Sequence, residues 1–397
     1  LKRKSSLSLI FLTVFVDLLG FGILIPILPA FAKIELHVDE AAIGIVIAIY
    51  SFVQFLFNPI LGRISDKFGR KPVIVISLLV NAAGYIIFAV TTSYLILILS
   101  RIIAGIGGSS IAVAQAYIAD ITTKENRAKG MGVIGSAFGL GFVFGPLIGG
   151  LLSGYGYMVT GFASAGFSLL AFTLTIFLLP ESNVNRDIVS AGKRALIDIP
   201  GLKNVFSKAE RVILIILFFV LTFSFANIYG TFALLGLEVY GFSDLQNGYM
   251  FGIFGLTAAV VQGGLIGRIS KILSKKTILI LGSFLIMSGL AAIPFGQTFL
   301  GLAIIAVFLS FGTGIFQPTV LSLISEVTPE TEQGVTLGVN QSISALARVL
   351  GPLWGGFAFE YLGYAFPFLT GAAFTAVIFV AAIFYLPGKL SSHNISP

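Results

Sequence analysis

Three charged residues stand inside otherwise apolar stretches of this sequence: Asp17, Arg101 and Arg348. A carboxylate in such surroundings keeps its charge only where it is paired or hydrated, so Asp17 is a candidate to carry a proton. It could instead touch a solute or bond to a neighbouring helix. An arginine in a dry interior is costly and needs a partner or a water-filled cavity. Arg101 lies at a depth comparable to Asp17, and an ion pair between the two is one geometry that would satisfy both. Arg348 has no acidic residue at depth in the second half of the chain to pair with. It could recognise an anionic group on a solute, reach toward the interface, or pair with Asp17.

A second group of residues suits a mechanical task. The short stretch from Gly62 to Pro72 carries Asp66, Gly69, Arg70 and Lys71. Its glycines allow tight turns, Asp66 can cap a helix or bond near Asn340, and Arg70 can pair with Asp120. Such a set would form a cytoplasmic latch. Gly141, Gly145 and Gly149 recur every four residues and so share a helix face that lets a neighbour approach closely. Pro146 removes one helical hydrogen bond beside them. Gly351 and Pro352 repeat the device. Tyr50, Gln54, Asn227, Tyr229, Gln246, Gln317, Gln341 and Arg348 are the polar candidates for the lining of a cavity, with many phenylalanines as apolar walls.

The elements that must hold these residues follow from composition. The 397 residues are 57% hydrophobic and only 10% charged, with mean hydropathy +1.02, whereas a soluble domain carries about 25% charged residues. Most of the surface must face lipid. Apolar runs are continuous over about twenty residues, which is the length of a spanning helix and twice that of a barrel strand. Twelve spans are predicted near 8–32, 41–61, 73–91, 94–117, 130–153, 158–179, 212–235, 245–266, 277–295, 298–323, 335–359 and 364–386. The first has no signal-peptide cleavage pattern and is expected to be retained; a start at Leu1 implies that an initiating methionine was removed or lies upstream. With no cysteine and two histidines, disulfides and thiol chemistry are out, and no metal site or cofactor is expected. Nucleic-acid binding is not expected either, because the net charge of +7 is distributed as membrane anchoring. With both termini cytoplasmic, every Lys and Arg except Lys33, Arg101 and Arg348 falls on the cytoplasmic side, as the positive-inside rule requires.

The chain repeats itself. Residues 62–76, GRISDKFGRKPVIVI, parallel 267–281, GRISKILSKKTILIL, and GPLIGG at 145–150 parallels GPLWGG at 351–356. The two offsets agree to within one residue. Two parallel six-helix bundles are expected, 1–180 and 211–397, joined by a polar cytoplasmic linker at 181–210. Halves related this way are one common transporter architecture, with solute held between them.

On these motifs the sequence resembles the major facilitator superfamily. The 62–72 loop is similar to its signature loop, and Arg101 with Gly105 and Gly107 to its arginine–glycine motif in span four. Residues 141–150 resemble the span-five motif of proton-coupled antiporters. Asp17 with LLGFGILIPILP at 18–29, and YIADITTKENRAKGMG at 117–132, resemble the tetracycline/proton branch. Spans three and nine lack the acidic residues of that branch. The resemblance implies an all-α membrane fold and alternating access. It implies proton-coupled export of amphipathic or drug-like molecules, with Asp17 and Arg101 in proton transfer. It also implies a prokaryotic inner membrane and a monomer working with substrate, protons and lipid. A symporter or facilitated carrier for a sugar, organic anion or zwitterion, and a lipid exporter, are the alternatives. No nucleotide-binding Gly-Lys-Ser/Thr loop occurs, and an enzyme is not expected.

Overall fold

In lipid no water is available to bond the backbone, so continuous apolar segments must satisfy their N–H and C=O groups internally as helix. A computed structural model describes residues 2–123, 127–183, 205–329 and 332–384, and among these it is helical with no strand. The side chains of Lys2, Arg3, Lys4, Arg127 and Lys129, together with Lys124, Glu330 and the linker residues 184–204, lie outside the described set.

The helices of the first half are α1 (Lys2–Ile34), α2 (Glu40–Phe68), α3 (Arg70–Ala89), α4 (Tyr94–Gly108), α5 (Ser110–Ile121), α6 (Arg127–Ser153) and α7 (Tyr157–Leu178). Those of the second are α8 (Ala209–Ala226), α9 (Ile228–Glu238), α10 (Asp244–Val260), α11 (Ile266–Ile272), α12 (Lys275–Ala292), α13 (Phe299–Glu326), α14 (Gln333–Leu362) and α15 (Phe366–Phe384). Several starts are capped in the ordinary way: Asp39 accepts from Ala42 N at 2.7 Å, and Ser93, Ser274 and Thr298 cap α4, α12 and α13.

Among the described residues eleven helical segments are long and apolar enough to cross a membrane. The remaining predicted span, the eleventh at 335–359, falls in α14, a 30-residue helix. It has the length but is more polar, because Thr336, Asn340, Gln341, Ser342, Ser344 and Arg348 interrupt it. Three predicted spans also differ from simple helices. The fourth breaks at Ser109, whose hydroxyl donates to Gly105 O at 3.0 Å and so competes with the helical ladder. The seventh breaks at Asn227. The eighth passes through a π-helical turn, Val261–Leu265. By contrast α6 and α14 run without interruption through Pro146 and Pro352.

The chain divides into two compact units, one of Leu1–Ile197 with Phe242–Gly252 and one of Asp198–Gly241 with Ile253–Pro397. In the first, α1 packs on α6 and α7, and α3 on α4 and α7. In the second, α8 packs on α14 and α15, and α12 on α13 and α15. These are the same four pairings displaced by the sequence repeat. The close crossings explain the glycines. A Cβ on Gly145 would stand 2.5 Å from the Gly22 Cα, and one on Gly351 would stand 3.0 Å from Asn227 N. Gly22 and Asn227 are themselves repeat partners at an offset of 205 in the sequence.

Candidate functional site

Asp17 lies in α1, 5% exposed, and three helices supply its surroundings. Its Oδ1 accepts from Asn81 Nδ2 of α3 at 2.8 Å and from Ser168 Oγ of α7 at 2.6 Å. Both donors are neutral, and no described cation pairs with the carboxylate. A small cavity adjoins it, about 10 Å³ and lined by Thr13, Val14, Asp17, Ile74, Leu78, Ser110, Ile111 and Ala114. That is close to the room one water needs.

Arg101 does not take the position that an ion pair with Asp17 would require. It is 3% exposed, bonds Ser100 Oγ through Nε at 3.2 Å, and lies 5.4 Å from the Phe88 ring and 6.0 Å from the Tyr85 ring. Ring faces stabilise the guanidinium by cation–π attraction, and its Nη2 has no hydrogen-bond partner. Asp17 and Arg101 still act on common neighbours, since both are felt electrostatically by Tyr50 and Tyr85. The arrangement is a buried acid and a buried base in one polar neighbourhood with no direct contact. Tyr50 accepts from Gln54 at 3.1 Å and stacks on Phe21 at 5.1 Å, and Phe21 meets Phe142 edge-on at 6.0 Å. These give the first unit one aromatic wall.

At the turn between α2 and α3 of the same unit, Gly69 stands at φ 105°, a left-handed conformation that glycine tolerates and L side chains resist. The turn aims Arg70 at two carboxylates: Nε donates to Asp120 Oδ2 at 2.9 Å and Nη1 pairs with Asp66 Oδ1 at 2.6 Å. Nη1 also donates to Ser65 Oγ at 2.7 Å, and to the Gly62 carbonyl at 3.4 Å. Sequence reasoning missed the outer layer of this cluster. Glu181 accepts from the backbone N–H of Arg70 at 2.9 Å and of Lys71 at 3.2 Å, neutralising the orphan donors and positive end of α3. Ser182 donates to Asp120 at 3.0 Å and Asn183 to the Asp66 carbonyl at 3.0 Å. The signal was present: an acid two residues after the sixth span, facing a helix start that has no side-chain cap of its own. The second unit builds a simpler version, in which Lys275 pairs with Glu326. These are the repeat positions of Arg70 and Asp120. Arg211 adds a pair with Glu332 at 2.5 Å.

The candidate cavity residues of the second unit divide. Arg348 and Tyr229 are electrostatic neighbours, and Tyr229 meets Phe225 edge-on at 5.7 Å. Gln317 and Gln341 are exposed, and Asn340 is 1% exposed. Two candidates have other work. Asn227 donates to Pro367 O at 2.6 Å and its Oδ1 lies against Gly355, so it ties helices together at the crossing. Gln246 belongs to the first unit and closes a capping box, accepting from Ser243 N at 3.0 Å while Gln246 N donates to Ser243 Oγ at 3.3 Å. That geometry gives Asn227 a packing role and Gln246 a capping role.

A helical membrane protein built from a repeated unit, with charges buried in its spans and ion-paired turns between them, is the architecture of a secondary transporter. The chain belongs to the Major Facilitator Superfamily, whose sequence pattern matches residues 10–352 and 257–395. It is an integral membrane transporter, not an enzyme. It is 30% identical over 380 residues to multidrug resistance protein 2 of Bacillus subtilis, covering 93% of this chain and 92% of that protein. It is 32% identical over 368 residues to the class C tetracycline resistance protein of Escherichia coli, covering 89% of each. A crystal structure of a mutant of the nucleoside transporter NupG superposes with a TM-score of 0.79 at 15% identity, over 95% of this chain and 98% of that one, a likeness of fold.

Proposed function

We propose that this transporter exports small amphipathic molecules across a bacterial plasma membrane in exchange for protons. The observation that carries the reading is the isolation of Asp17. A buried carboxylate held only by two neutral donors has no salt bridge to break when it takes a proton. Both protonation states can keep Asn81 and Ser168 as partners. The cavity at its side has about the room for one water beside the acid. Arg101 supplies a positive field without quenching the acid, so each can respond to the other as the site opens and closes. Resistance proteins for drugs and tetracycline among the relatives support efflux as the direction.

The Arg70–Asp66–Asp120 cluster serves in this reading as a cytoplasmic latch. Its ion pairs are partly solvated, so each is worth little alone and the latch can open on every cycle. The two halves, divided within the linker at 181–210, alternate between two states as a monomer. The test is reconstitution in vesicles with an imposed pH difference and a panel of cationic, neutral and anionic amphipathic dyes. Export by exchange requires that some dye collect on the acidic side and that its addition release protons from the detergent-solubilised protein. Transport of every dye at a rate indifferent to the pH difference would leave a facilitated carrier instead.

A further inference from the structure

Arg348 is the buried charge that the proposed proton exchange leaves without a task. It lies fifteen residues from the start of α14 and fourteen from its end, about 20 Å from either at 1.5 Å per residue. That is too far for the side chain to snorkel to an interface. It is partly exposed, so it is not sealed in the packed interior. No described carboxylate lies within ion-pair distance of it, unlike Arg70 and Arg211, which have Asp120, Asp66 and Glu332. No described aromatic ring covers its face as Phe88 covers Arg101. A partly exposed arginine at mid-membrane depth is unfavourable against lipid and is satisfied by a polar passage rather than by the bilayer.

The scaffold does not ask for a cation at this place. The repeat position, offset by 206, is Phe142, which fills the same point of the first unit as an apolar wall. Arg348 is thus an addition to one half. Tyr229 is its electrostatic neighbour, and Phe225 meets Tyr229 edge-on, an aromatic surface suited to a flat apolar body. Toward the start of α14, at intervals of four residues that rotate gradually round the helix, stand Ser344, Asn340 and Thr336, all buried. Both amide atoms of Asn340 and the hydroxyl of Thr336 are buried with no hydrogen-bond partner. A guanidinium with its donors unused recognises a carboxylate or similar oxyanion through paired hydrogen bonds.

We infer that Arg348 binds an anionic group of the substrate, and that the cargo is an amphipathic organic anion whose apolar body rests against Tyr229 and Phe225. The inference rests on the export reading for its direction but not for the binding it names. Equilibrium dialysis of the purified full-length protein, with no pH gradient, tests it on one apolar body: 1-naphthaleneacetate, its methyl ester, and 1-naphthylmethylamine. The acetate is expected to bind at least about tenfold more tightly than the ester, as for a hydrogen bond to a charged group. Arg348→Gln should erase that preference and Arg348→Lys should keep part of it. Equal or tighter binding of the ester or amine by the wild-type protein overturns the inference without any variant, as does a preference that survives Arg348→Gln. Anion preference without pH-driven transport would sink the export reading alone, and pH-driven transport without anion preference would sink this one alone.

Discussion

Replacing Asp17 by Asn separates the proton from the structure around it. The two side chains have nearly the same shape, and the amide oxygen can still accept from Asn81 at 2.8 Å and Ser168 at 2.6 Å. Each bond loses its charge-assisted component, about 1 kcal/mol, while the cost of burying an ion disappears. Folding stability should therefore change by no more than about 1–2 kcal/mol in either direction. Transport should change completely. One pH unit across the membrane is worth about 1.36 kcal/mol per proton, so one coupled proton sustains about a tenfold substrate gradient. In vesicles held at a difference of one unit, the wild-type protein should concentrate substrate about tenfold on the acidic side. Asp17→Asn should leave the two sides equal, yet retain exchange of labelled for unlabelled substrate. The reasoning is refuted if the variant, folded and exchanging, still concentrates substrate to the wild-type ratio, because the proton would then ride on another group.

Three further outcomes follow from the geometry. Gly145→Val should force α1 from α6, since the new Cβ would meet the Gly22 Cα at 2.5 Å; a loss of about 1–3 kcal/mol or more is expected from overpacking. An unchanged melting temperature would contradict that crossing. Arg70→Ala strands Asp66 and Asp120 without their common cation and should cost about 1–3 kcal/mol, discounted for the solvent at both carboxylates. Arg70→Lys should recover only part of this, because an ammonium cannot reproduce the planar fork, and equal stability of the two variants would argue against it. Gln246→Ala opens the capping box of α10 and should lower stability by about 1 kcal/mol while leaving substrate affinity unchanged; a weakened affinity in a stable protein would return Gln246 to the cavity.

Which parts could be read from the sequence depended on whether a residue's partner lay in a recognisable pattern. The pairing of Arg70 with Asp120 was legible because both sit at span ends, where charge collects along the sequence. The glycine face of α6 was legible because spacing alone defines it. An Asp17–Arg101 pair is one geometry that depth and charge allow, but depth along the chain does not fix direction around a helix. Arg101 points to Phe88 and Tyr85, while Asp17 points to Asn81 and Ser168. Asn227 and Gln246 were assigned to a cavity because they are polar residues inside or beside spans. A polar side chain in lipid serves helix packing and helix ends as readily as a solute. For Gln246 the local Ser243-Asp-Leu-Gln246 string was itself the capping signal. For Asn227 the signal was its repeat relation to Gly22, which stands at a helix crossing.

The internal repeat also separates scaffold from chemistry. What both halves share is mechanical: four helix pairings, the glycines of the α1–α6 and α8–α14 crossings, and an ion pair at equivalent turns, Arg70 with Asp120 and Lys275 with Glu326. What they do not share is charge at depth. The repeat position of Asp17 is Thr222, and that of Arg348 is Phe142. A charge inside a membrane span is unfavourable unless something bonds it, and a scaffold that folds without the charge in one half has no structural need for it in the other. In the proposed exchange the asymmetric residues are the ones that carry the function. Asp17, bonded by neutral donors, fits a group that changes its own charge. Arg348, whose charge is fixed and has no described counter-ion, fits a group that waits for a charge to arrive.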